Sequence, residues 1–105
     1  MSSRGIYDTI KNTVQGYLPG SRVVLFGSRA RGQSHRHSDY DLLIITPKTF
    51  TPQEKINWSS KLDRAIVGAV HAPVDILLNS EEEVRQKQEL PGHIIRSAVK
   101  EGLAL

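Results

Sequence analysis

The chain has 105 residues, 14 Lys and Arg against 11 Asp and Glu, and no cysteine. That length leaves room for one domain, 1–105, with a modest core, and none for a second substrate-binding domain, while a net charge of +3 permits an anionic partner without demanding one. The lack of cysteine excludes disulfides and thiolate metal sites, and with no secretory apolar segment after Met1 and no apolar run of membrane-spanning length a soluble, cytoplasmic protein is expected.

From Gly5 to about Tyr17, Ile6, Ile10 and Val14 recur every four residues, which predicts an amphipathic helix that Leu18-Pro19-Gly20-Ser21 breaks. Val23–Phe26 is a continuous apolar run between turn signals and reads as a strand buried on both faces. Gly27 ends it, and Ser28–Arg31 opens a short helical turn with Ser28 near its N-cap. A polar loop, Gly32–Ser38, leads to a second strand over Asp39–Thr46, with Leu42, Leu43, Ile44 and Ile45 as its buried portion. Thr51-Pro52-Gln53-Glu54 combines a cap, a proline at the first helical position and a capping box. The helix it starts places Trp58, Leu62, Ala65, Ile66 and Ala69 on one face and weakens at Gly68. After Ala72-Pro73 comes a third strand, Val74–Leu78, with Asp75 and Leu77 on one face and Val74, Ile76 and Leu78 on the other. Ser80–Glu83 is a second capping box, Pro91-Gly92 interrupts the helix it opens, and His93–Lys100 resumes as a helix that Gly102 terminates. Leu103–Leu105 adds a short edge strand. The order implies an α+β fold, with a mixed sheet of the α/β type in which three or four central strands are flanked by helices.

The stretch from Val23 to Ile45 carries the chemistry. Asp39 and Asp41 stand at i and i+2 at the start of a strand and so point to one face. Like charges held side by side repel, and a cation between them relieves the repulsion. Oxygen-only ligands suit magnesium, which bridges protein carboxylates to substrate phosphates. Gly27-Ser28, at the end of the preceding strand, gives those phosphates a place to approach the backbone. Asp75 lies inside an otherwise apolar strand, where an unpaired carboxylate is costly. If the third strand lies beside the second, Asp75 faces the same cleft, and three carboxylates on one sheet surface form a two-metal site for phosphoryl or nucleotidyl transfer. Asp75 can also accept the proton of the incoming hydroxyl. Taken singly, each carboxylate has a plainer reading: a strand-entry turn for Asp39 and Asp41, an edge gatekeeper or an arginine's ion-pair partner for Asp75.

Gly27-Ser28, ten intervening residues, then Asp39-Tyr40-Asp41 inside an apolar strand resembles the signature of the DNA polymerase beta-type nucleotidyltransferase superfamily. Leu25–Gly32 followed by Ser38–Ile44 is most similar to its minimal nucleotidyltransferase (MNT) branch, and Val74-Asp75-Ile76 stands where that family carries its third carboxylate. The resemblance implies the small nucleotidyltransferase fold. It implies that Gly27 and Ser28 contact the nucleotide's β- and γ-phosphates, that Asp39 and Asp41 bridge two Mg2+ ions, and that Asp75 binds the catalytic one. Arg29 and Arg31 follow Ser28 directly, and arginine forks suit phosphate oxygens, although each also reads as a solvated surface charge. The implied reaction is attack of a hydroxyl on the α-phosphate of ATP with loss of pyrophosphate.

MNT proteins often pair with a helical HEPN RNase toxin and act as its antitoxin, in some cases by adding AMP to a toxin tyrosine. With the triad intact and no acceptor-binding domain, the resemblance favours that enzymatic role, the acceptor site being supplied partly by a partner or by a second copy in a homo-oligomer. Two rivals remain: a non-catalytic, nucleotide-binding antitoxin that blocks its partner sterically, and an aminoglycoside-type small-molecule nucleotidyltransferase. His35 and His37, near Arg29 and Arg31, superficially mimic the Arg-x(4–6)-His motif of HEPN nucleases, but lie in a loop and read as solvated or phosphate-proximal. Without an aromatic platform, direct RNA binding is not expected, and Trp58 reads as core.

Overall fold

The computed structural model describes residues 3–32 and 39–105. The elements run α1 (Ser3–Tyr17), β1 (Arg22–Phe26), α2 (Gly27–Ala30), β2 (Tyr40–Thr46), α3 (Pro52–Val70), β3 (Val74–Ser80), α4 (Glu81–Lys87), α5 (Ile94–Glu101) and β4 (Leu103–Ala104). The four strands form one mixed sheet in the order β3-β2-β1-β4. β1 pairs antiparallel with both β2 and β4, whereas β2 and β3 run parallel, joined by the long crossover helix α3.

Both faces of the sheet are covered, as the unbroken apolar runs require. On one face Val23 and Leu25 of β1, Tyr40, Leu42 and Ile44 of β2, and Val74 and Leu78 of β3 pack against Ile10 and Val14 of α1 and Leu62 and Ile66 of α3. On the other, Val24, Leu43 and Ile45 meet Val84 of α4 and Ile95 and Ala98 of α5, with Phe26 and Leu77 half-buried beside them. Trp58 belongs to the first cluster: it packs on that core, its ring 6.2 Å from the ring of Phe50, under the Lys61 ammonium.

The helix starts follow the local chemistry. Thr51 caps α3 and Ser80 caps α4, each through its hydroxyl and each answered by a glutamate three residues on, Glu54 and Glu83, bonding back to the cap's N–H. His93 caps α5, its Nδ1 accepting the Ile95 N–H at 3.1 Å. Gly102 ends α5 with an ordinary φ of −77°; glycine is needed there for proximity, because a Cβ would run into the Ala98 carbonyl and the Val24 side chain. That contact lets the chain turn from α5 directly into β4 against β1.

Two expectations shift. The second strand begins at Tyr40, which leaves Asp39 just outside the ladder. The turn after β1 is capped at Phe26, without a side-chain hydrogen bond, so Ser28 lies within α2 and not at its cap. Among the described residues no helix is long and apolar enough to cross a membrane.

Candidate active site

The mixed strand directions bring three chain segments to one end of the sheet. Antiparallel pairing sets the end of β1 beside the start of β2, with Phe26 opposite Asp41. Parallel pairing sets the start of β3 beside the start of β2, with Asp41 opposite Asp75. Asp41 and Asp75 therefore stand on neighbouring strands, on the face shared with Leu43 and Leu77, beyond the part of that face that α4 and α5 cover.

Burial, then the charges of Asp75 and Asp39, push the Asp41 carboxyl above its ordinary range, against a downward pull from Arg31. Asp41 is half-buried, while Asp39 and Asp75 are exposed.

Gly27 closes the site from the side of β1. Its φ is +74°, and a Cβ there would collide with the Asp41 carboxylate. The glycine thus makes room for the aspartate. Nothing in the sequence pointed to that constraint, since Gly27 and Asp41 are neighbours only through the β1–β2 register.

The arginines separate. Arg31, whose N–H bonds to the Gly27 carbonyl at 3.2 Å at the end of α2, is near enough for its charge to act on Asp41. Arg29 instead lies over the ring of Tyr40, 3.8 Å from the centroid. Tyr40 is buried in the core of the opposite face, so this contact draws Arg29 toward that side. In the sequence Tyr40 reads only as the spacer between two aspartates. Ser28 stands next to Gly27 within α2. The loop segment 33–38, with His35 and His37, lies outside the described residues.

The donor set contains only carboxylate oxygens, which suits a hard cation such as Mg2+. Burial is the main reason the Asp41 carboxyl is raised, but the neighbouring Asp75 and Asp39 charges add to it, and a cation would relieve that part. Among the described residues, however, no group of three acidic or histidine side chains converges closely enough to enclose a metal ion. The register pairs Asp41 with Asp75, while Asp39 stands outside the ladder, near enough for its charge to act on Asp41.

Comparison with known proteins gives a consistent picture. No curated protein sequence matches this chain significantly. Among solved structures, one of a minimal nucleotidyltransferase superposes with a TM-score of 0.67 at 22% identity, covering 97% of this chain and 91% of that one. A toxin–antitoxin structure with AMP-PNP gives a TM-score of 0.63 at 22% identity, covering 92% of this chain and 69% of that one. The MNT antitoxin complex with a tri-AMPylated HEPN toxin of Shewanella oneidensis gives 0.61 at 17% identity, covering 98% and 71%. At such identities the likeness is one of fold: the mixed four-stranded sheet flanked by helices is that of the small nucleotidyltransferases and of MNT antitoxins. The model of the family "Polymerase beta, Nucleotidyltransferase" matches residues 8–103, and the chain belongs to that family.

Proposed function

We propose that this chain transfers AMP from ATP to a hydroxyl of a protein partner, a tyrosine of a HEPN-type toxin, and so acts as its antitoxin. The observation that carries the reading is the Asp41–Asp75 pair, set opposite each other in register beside the glycine of the β1–α2 turn. Family membership supports nucleotidyl transfer, and fold likeness to the AMP-PNP and tri-AMPylated complexes supports adenylyl transfer to such a partner.

In this reading Asp39, Asp41 and Asp75 would close on a Mg2+ ion, which when bound would neutralise charge on the triphosphate and make the attacking hydroxyl more acidic. Gly27 and Ser28 hold the β- and γ-phosphates where backbone and hydroxyl can reach them. Arg31 lends positive charge on the site side, and Arg29 reaches the triphosphate from its seat on Tyr40. The attacking oxygen forms a bond to the α-phosphorus as the bond from that phosphorus to the β-phosphate bridging oxygen breaks. Pyrophosphate leaves, and the hydroxyl proton passes to Asp75.

The test is incubation with ATP labelled on the α-phosphate, Mg2+ and a HEPN-type helical protein as the candidate partner. Label should appear on the partner, and Asp41→Asn should lower the rate by about 10²-fold or more while the fold persists. Neutralisation that survives Asp41→Asn, with no label transferred by the unaltered chain, would establish steric blocking instead.

A further inference from the structure

β3 is the last strand of the sheet, bonded to β2 along one edge only among the described residues. The Tyr40 N–H donates to the Pro73 carbonyl at 3.0 Å, so residues 73, 75, 77 and 79 turn their backbone groups toward β2. By alternation, Val74, Ile76 and Leu78 turn theirs to the open edge. Asp75 is the charged residue of this edge strand, but no bulge, lysine or proline stands at Val74, Ile76 or Leu78, and the register with β2 is unbroken. A groove of about 420 Å³ follows this edge, walled by Lys55, Ile56 and Ser59 of α3 and by Lys87 of α4. Ile56 on its rim is 62% exposed.

We infer that this edge receives a second copy of the chain, β3 against β3, antiparallel about a two-fold axis through Leu77. A two-fold axis perpendicular to the sheet keeps every side chain on its own face, so only residues of like parity can stand opposite each other. The register of fullest overlap then pairs Leu77 with itself, Ile76 with Leu78 and Asp75 with Asn79. Charge complementarity favours this occupant over another. The Lys87 ammonium is held 2.6 Å from the Asn79 Oδ1 on the same face as the exposed Asp75. Directly opposed side chains in an antiparallel pair are about 5 Å apart at Cβ, so the second copy's Lys87 arrives beside Asp75. Each copy gives one such cation and receives one, as a self-complementary interface requires. On the opposite face the two exposed Ile56 side chains approach over the joined strands. The result is an eight-stranded sheet in which each carboxylate site gains a lysine from its neighbour. The functional meaning of that lysine rests on the nucleotidyltransferase reading, but the docking does not.

The chain has no cysteine, so a single introduced thiol reports on the register. Leu77→Cys should cross-link two copies under mild oxidation, at least about tenfold faster than Asn12→Cys, whose thiol would sit on the exposed face of α1. Adding Ile56→Glu or Lys87→Glu to Leu77→Cys should slow the cross-link by about tenfold, since each sets like charges across the interface. Sedimentation equilibrium of the unaltered chain should give twice the monomer mass, and Ile56→Glu should return it to one. Equal cross-linking of Leu77→Cys and Asn12→Cys, or a monomer at every concentration, would overturn the proposal. Neither readout depends on nucleotidyl transfer, so the two readings fail separately.

Discussion

At Gly27 the backbone sits at φ +74° and a side chain would run into the Asp41 carboxylate. Gly27→Ala therefore imposes both backbone strain and a displaced aspartate. The expected loss is about 1–3 kcal/mol of stability by thermal or denaturant unfolding, with weakened nucleotide binding in the folded fraction. Asp41 should show the opposite sign. Its carboxyl is raised in the folded chain by burial and by the charges of Asp75 and Asp39, so the native state holds a proton more readily than the unfolded chain. Its contribution to stability is then fully present below the ordinary carboxylate range and is lost as pH rises through the raised value. Asp41→Asn should raise the melting temperature at neutral pH, and the gain should vanish in acid. A variant inactive in transfer yet more stable at pH 7 would mark Asp41 as a residue whose placement opposes folding.

At the scale of elements, one carboxylate ties three segments together. Glu83 closes the capping box of α4 on the Ser80 N–H at 2.9 Å and accepts the Lys55 ammonium of α3 at 2.5 Å. Burial pushes the Glu83 carboxyl up, but the Lys55 and Ser80 hydrogen bonds and the charges of Lys55 and Lys87 outweigh it and hold the group below its usual range. A depressed folded value means that its stabilisation is present above the unfolded value and lost as pH falls through the folded one. Glu83→Gln keeps the cap but removes the charge. Urea titrations should show the variant less stable by about 1 kcal/mol at neutral pH, the difference closing on acidification. By contrast, the Arg22–Glu81 pair, with contacts of 2.8 and 2.9 Å, joins β1 to α4 on the exposed surface and should contribute little.

For the whole molecule, the apolar runs at Val23–Phe26, Leu42–Ile45 and Val74–Leu78 announced three strands, the first of them covered on both faces, and the two capping boxes announced α3 and α4. Those signals are local and chemical, so they could be read directly. The sheet order β3-β2-β1-β4 and its mixed directions could not, because an apolar run carries no arrow. For the site, the sequence brought Asp39, Asp41 and Asp75 together only on the condition that their strands be neighbours. The parallel register supplies that neighbourhood for Asp41 and Asp75. The division between Arg29 and Arg31 was illegible for a similar reason: both follow Ser28, and only the burial of Tyr40 in the opposite core sets their positions apart.

The exposure of Asp39 and Asp75 has a kinetic corollary. An enzyme that encloses its reactants excludes the commonest rival nucleophile, whereas carboxylates lying open at a sheet end leave bulk water free access to the α-phosphorus. With ATP and Mg2+ but no partner, the proposed transferase should slowly release AMP and pyrophosphate, and addition of the helical partner should suppress that release as it claims the same position. A coupled pyrophosphate assay would register this leak, and its absence would mean that the bound nucleotide is shielded by parts of the chain other than these aspartates.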